Sequence, residues 1–100
     1  MNESSWTFLS NYTHVLVCLA QGGDPLMRDV AARVGITERQ VQRVVAELEA
    51  AGVLARNRDG RRNSYAINPD VPLRHPLEAH CRIGELLELV AAPGTVRGST

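Results

Sequence analysis

Residues 29–67 read DVAARVGITERQVQRVVAELEAAGVLARNRDGRRNSYAI, and the fold is decided within them. Ala31, Gly35, Val41 and Val44 fall within two short helical stretches separated by a tight turn, and Gly35 supplies the left-handed backbone that turn needs. Thr37 with Gln40 three residues on is the arrangement of a capping box, so a second helix opens at once and runs to about Ala51-Gly52. Two helices joined by three or four residues cross steeply and touch near Ala31, where a small side chain permits close approach. Val34, Ile36, Val41, Val44, Val45 and Leu48 are expected to fill the apolar wedge between them. Beyond Gly52 the pattern becomes extended: 53–58 and 63–67 flank Asp59-Gly60, a dipeptide suited to a hairpin turn because both positions accept positive φ.

Working outward, Trp6 to Ala20 reads as an initial helix with Leu9, Tyr12, Leu16 and Leu19 on one stripe and Ser5 or Asn11 as its cap. Gly22-Gly23-Asp24-Pro25 breaks the chain, with Asp24 as N-cap and proline opening a short helix, about 26–34. After the hairpin, the prolines at 69, 72 and 76 exclude regular structure before a last helix from Pro76 to about Ala91. Along that helix Glu78, Arg82 and Glu85 form a charged stripe, with Glu78 and Arg82 spaced for an i,i+4 pair. The expected organisation is a flexible 1–5, one domain over 6–91 that includes the terminal helix 76–91, and a flexible tail over 92–100.

Composition narrows the classes. One hundred residues make one domain with a modest core. No apolar run approaches the ~18–20 residues of a membrane span, and Met1 to Ser5 has no basic region leading into an apolar one, so a cytoplasmic protein is expected. Eleven basic and eleven acidic residues cancel, yet from Arg28 to Tyr65 eight arginines face five acids, an excess of three positive charges. Every basic residue is arginine, which with the abundance of Ala, Val and Gly fits a GC-rich genome and carries no functional weight.

The combination of DVAARVGI, TERQVQRVVAELEAAG and the arginine-rich GRRNSY hairpin resembles winged helix-turn-helix transcriptional regulators of the MarR and ArsR type. The following PLRHPLEAH is similar to a group of small regulators of this kind in GC-rich bacteria. The resemblance covers about 6–90. It lacks the long helices of typical MarR proteins and the paired-cysteine metal motif of ArsR proteins. It implies a mainly α fold with a β-hairpin wing: a three-helix core, a two-stranded wing and a C-terminal helix. It further implies a sequence-specific regulator that binds double-stranded DNA as a homodimer, with the recognition helix 37–51 in the major groove. The hairpin, 54–67, would then lie on the backbone or in the minor groove.

The side chains suit that chemistry. Arg39 and Arg43 can each present a bidentate fork to guanine, and Gln40 or Gln42 can pair with adenine. Thr37 with the helix N-terminus can hold a phosphate. Glu38 either faces away or reads a cytosine amino group, while Glu47 should face away from phosphates. On the hairpin, Arg56, Arg58, Arg61, Arg62 and Asn63 can reach phosphates or the minor groove, and Tyr65 is expected to pack its ring beneath the hairpin, the alternative being to stack on a base. The competing readings are a solvated amphipathic face for the helix and an anti-aggregation edge for the hairpin arginines. Trp6, Phe8, Leu77, Ile83, Leu86, Leu87 and Val90 are the candidate dimer interface, because the terminal helix offers more apolar surface than its own domain needs; the alternative is that it caps its own core.

His14 with Cys18 and His80 with Cys81 permit a metal site without diagnosing one, and nothing near Cys18 marks a redox thiol. No cofactor is expected. The absence of a phosphate loop, nucleophile elbow or paired carboxylates argues against an enzyme. The function of another class that competes is a winged helix used for protein assembly, supported by the zero net charge. A small-molecule effector remains open and unidentified.

Overall fold

The computed structural model describes residues 6–22, 24–59 and 62–90. Its elements run α1 (Asn11–Ala20), α2 (Met27–Val34), α3 (Glu38–Ala50), β1 (Leu54–Asp59), β2 (Arg62–Ile67) and α4 (Ile83–Val90). The fold is therefore four helices and a two-stranded antiparallel hairpin. The flexible ends expected at 1–5 and 92–100 lie outside the described residues.

The core forms where three helices meet. Val15, Leu16, Cys18 and Leu19 of α1, Val30 and Ala31 of α2, and Val41, Val44, Val45 and Leu48 of α3 are all buried. Val34 and Ile36 close its edge half-buried, so the expected wedge is present. Burying a valine or leucine contributes ~1.5–3 kcal/mol, which makes this cluster the main source of stability.

Between α2 and α3, Gly35 adopts φ 89°, ψ 31°. Its N–H and that of Ile36 both close on the Ala31 carbonyl, at 2.8 and 3.1 Å, and so satisfy the end of α2. Thr37 then caps α3 as expected: its hydroxyl accepts from the Gln40 N–H at 3.0 Å, and the Gln40 side chain accepts from the Thr37 N–H at 2.9 Å. At the far end of α3 the Val53 N–H reaches the Leu48 carbonyl at 2.9 Å, and buried Val53 and Leu54 root the hairpin in the core. The register pairs Leu54 with Ile67 through Asp59 with Arg62. Asp59, expected in the turn, thus belongs to the ladder, and Gly60 lies outside the described residues.

Three expectations about helix ends are corrected. α1 starts at Asn11 instead of Trp6, because Ser10 takes the extended N-cap backbone and accepts the first helical bond, from the His14 N–H at 3.2 Å. Asn11 is the first helical residue and not the cap, Ser5 lies outside the described residues, and Tyr12 is 42% exposed rather than facing the core. α2 is capped by Leu26, whose carbonyl accepts from Asp29 and Val30 at 2.9 and 3.0 Å; Asp24 and Pro25 lie before the helix, with Asp24 at φ 45°.

The largest correction is α4, which begins at Ile83 and not Pro76. Residues 69–73 run antiparallel to 81–84. The Leu73 N–H bonds to the Cys81 carbonyl, Ile83 to Val71, and Gly84 to Pro69, all at 2.9 Å. The first N–H groups of a helix have no intrahelical partner, so the Val71 and Pro69 carbonyls satisfy the Ile83 and Gly84 donors, which a helix starting at Pro76 would have bonded internally. The close approach requires glycine: a Cβ on Gly84 would lie 2.9 Å from Pro69 Cβ. Glu85 completes the start by accepting from the Arg82 N–H at 2.8 Å. Glu78 consequently sits in a turn, and the expected Glu78–Arg82 helical pair does not form. Ile83, expected at a dimer interface, is buried in the chain's own core, and Leu87 packs on it.

Candidate nucleic-acid interface

With Val41, Val44, Val45 and Leu48 turned inward, the three-to-four periodicity of α3 leaves Arg39, Gln42, Arg43, Ala46 and Ala50 exposed in one stripe. Two arginines, an amide and two small residues make a surface that admits close approach and donates hydrogen bonds. Among the described residues neither Arg39 nor Arg43 has an ion-pair partner. Glu38 occupies the first turn, where the helix dipole favours a carboxylate.

Two acids in the second half of α3 are each held to a neighbouring element. On one flank, the Tyr12 hydroxyl of α1 donates to Glu47 Oε1. That acceptor raises the phenol pKa above the ordinary 10.0, as do partial desolvation and the Glu47 charge, while Arg43 and Arg74 act in the opposite direction. On the other flank, Arg56 of β1 holds Glu49, with Nε to Oε2 at 3.2 Å and Nη2 to Oε1 at 3.4 Å. The same guanidinium lies over the Tyr65 ring, 5.8 Å from its centroid. Tyr65 is half-buried and packs against the core, as expected.

The sequence-derived candidates divide accordingly. Thr37, Arg39, Gln40, Gln42 and Arg43 are brought together on the N-terminal half of α3. Gln40, however, has its side-chain oxygen in the capping box, so a bidentate contact to adenine would require breaking the cap; Gln42 has no such engagement among the described residues. Arg56 is not a free hairpin cation, because its charge is matched by Glu49. Arg61 lies outside the described residues, as do the side chains of Arg58, Arg62 and Asn63. The tethers on Glu47 and Glu49 are what the sequence reading missed. Their only sequence signal is the placement of Tyr12 and Arg56 on elements adjoining α3, which requires the fold to interpret.

Of the candidate dimer residues, Trp6 and Phe8 are 62% and 91% exposed, with their rings edge to face at 4.9 Å. Leu77 is also exposed, whereas Leu86, Leu87 and Val90 are half-buried. Val90 borders a cavity of about 380 Å³ lined also by Leu9, Thr13, His14, Val17, Cys18, Arg33 and Val34. Here His14 Nδ1 lies 3.1 Å from Asn11 Oδ1, and Cys18 is a buried free thiol. No group of three potential metal ligands occurs among the described residues. No helix among them is long and apolar enough to cross a membrane. Compared with protein-family models, curated proteins and solved structures, the chain matches none.

Proposed function

We propose that this chain is a winged helix-turn-helix protein that binds double-stranded DNA in a sequence-specific manner and regulates transcription as a homodimer. In this reading α2 and α3 are the helix-turn-helix, α3 enters the major groove, and the β1–β2 hairpin is the wing. The observation that carries it is the α3 stripe: Arg39, Gln42 and Arg43 are exposed together, while the nearby Glu47 and Glu49 are bonded to Tyr12 and Arg56. Guanidinium forks match the acceptor pair of guanine, and an amide matches adenine. Dimerisation is supported by Trp6, Phe8, Leu77 and Leu89, apolar groups that stand exposed among the described residues. A second copy would supply the second half-site, about 34 Å away, and compensate for the few base contacts of one small domain.

The test is a salt titration of binding to random duplex DNA, followed by selection of a preferred site. Specific binding should emerge above a salt-sensitive background. Arg43→Ala and Arg39→Ala should each cost about 1–3 kcal/mol on the selected site and relax preference at one position. Absence of salt-sensitive duplex binding would favour the protein-assembly reading.

A further inference from the structure

We infer that Tyr12 is a positioning residue for the DNA-facing surface: its hydroxyl holds the Glu47 carboxylate away from Arg43 and so keeps that guanidinium available to DNA. The inference rests on the proposed function and assigns a role to a residue outside the helix-turn-helix. Tyr12 stands in the first turn of α1 and Glu47 in the second half of α3, with the hydroxyl donating to the carboxylate. Glu47 follows Arg43 by four positions, the spacing at which helical side chains meet and opposite charges pair. Yet among the described residues Arg43 has no ion-pair partner, and the carboxylate within its reach is bonded to Tyr12 instead.

The charges around the bond agree with this division. Arg43 and Arg74 both lie near enough to Tyr12 to favour its phenolate, but the Glu47 acceptor outweighs them and keeps the proton on the phenol. Arg74 and Glu78 line a cavity of about 270 Å³ that Tyr12 and Glu47 also border. A phenol is a neutral donor. It can fix a carboxylate without bringing a charge of its own to the DNA-facing side, whereas an arginine or lysine would add one. Without the hydroxyl, Glu47 would turn to Arg43, neutralising one guanidinium and placing an anion one helical turn from the phosphates.

Two measurements test this. The first is duplex binding by the parent, Tyr12→Phe, Glu47→Gln and the double variant, each confirmed as folded by its thermal melt. Tyr12→Phe should weaken binding roughly three- to ten-fold at about 50 mM salt, and the deficit should shrink as salt screens the freed carboxylate. In the Glu47→Gln background Tyr12→Phe should have no such effect. Equal loss in both backgrounds, or a loss independent of salt, would make Tyr12 merely structural and overturn the inference while leaving DNA binding intact. A parent without salt-sensitive duplex binding would overturn the functional reading and this inference with it.

The second measurement is the ultraviolet titration of Tyr12 in a Tyr65→Phe background, which leaves one tyrosine of the chain's two. The bond contributes below the ordinary tyrosine pKa and is lost as pH rises through the raised folded value. Glu47→Gln should therefore move the transition to lower pH. An unmoved transition would show that the bond is absent and would overturn the inference irrespective of DNA binding.

Discussion

Substitutions at Gly35 and Gly84 should fail for different reasons, and the order of their effects separates those reasons. At Gly35 the backbone is left-handed with φ 89°, and a Cβ there would meet nothing within 4 Å. The cost is then one of backbone alone, ~1–2 kcal/mol for an L-residue in this region. Gly→Ala also removes freedom from the unfolded chain, which returns about 0.4–1 kcal/mol. Gly35→Ala should therefore destabilise by about 1 kcal/mol, Gly35→Asn by less because asparagine tolerates this conformation, and Gly35→Val by more than about 2 kcal/mol. At Gly84 the backbone is ordinary, but the Cβ would lie 2.9 Å from Pro69 Cβ and 3.3 Å from its carbonyl oxygen. Since Pro69 is bonded to the start of α4, the helix must move, at about 1–3 kcal/mol for alanine and more for the larger asparagine. Urea unfolding at constant m-value measures both series, and about 1 kcal/mol corresponds to some 4–8 °C in Tm for a domain of this size. Asparagine should thus be milder than alanine at 35 and harsher at 84. The same order at both sites would refute the assignment of strain to one and close packing to the other.

Val41 is fully buried, so Val41→Asp should cost several kcal/mol, a large part of the ~5–15 kcal/mol a domain of 100 residues has. A near-parental melt by circular dichroism would show that α3 is wrongly seated. The proposed homodimer should appear in sedimentation at micromolar concentration and be weakened by Leu89→Arg. That leucine is 80% exposed, so the monomer should remain folded; a monomeric parent would dispose of the proposal.

The middle of the chain was legible because local chemistry and tertiary packing agree there. Gly35, the Thr37–Gln40 box and the inward valines of α3 act within a few residues of one another, and all appear as expected. The ends were less legible for an identifiable reason. Residues 76–82 have the apolar content of a helix, but the backbone donors of Ile83 and Gly84 bond to Val71 and Pro69, partners that sequence periodicity does not identify. Trp6 and Phe8 likewise read as the first turn of a helix, yet Ser10 starts it later and leaves both rings in the open. Tyr12 was expected in the core on spacing alone; its hydroxyl has a better partner at the surface in Glu47.

The zero net charge, the strongest sequence argument for a protein-assembly role, loses force when the acids of α3 are followed to their partners. DNA responds to the charge a surface presents locally, since the Debye length at physiological salt is about 8 Å. On α3 the formal count is two arginines against three glutamates, a deficit of one. Glu49 is matched by Arg56, which belongs to the hairpin, and Glu47 is turned toward α1 by Tyr12. Glu38 remains at the helix N-terminus, where the unsatisfied backbone N–H groups offset its charge. What the stripe offers outward is Arg39 and Arg43 beside Gln42. A surface used for assembly would more naturally place aromatic or aliphatic anchors there; among the described residues the exposed large hydrophobic groups are Trp6, Phe8, Tyr12, Leu26, Leu77 and Leu89, none of which is on α3. Polar donors on one helix and apolar groups on other segments suit the two partners proposed above, duplex DNA and a second copy of the chain.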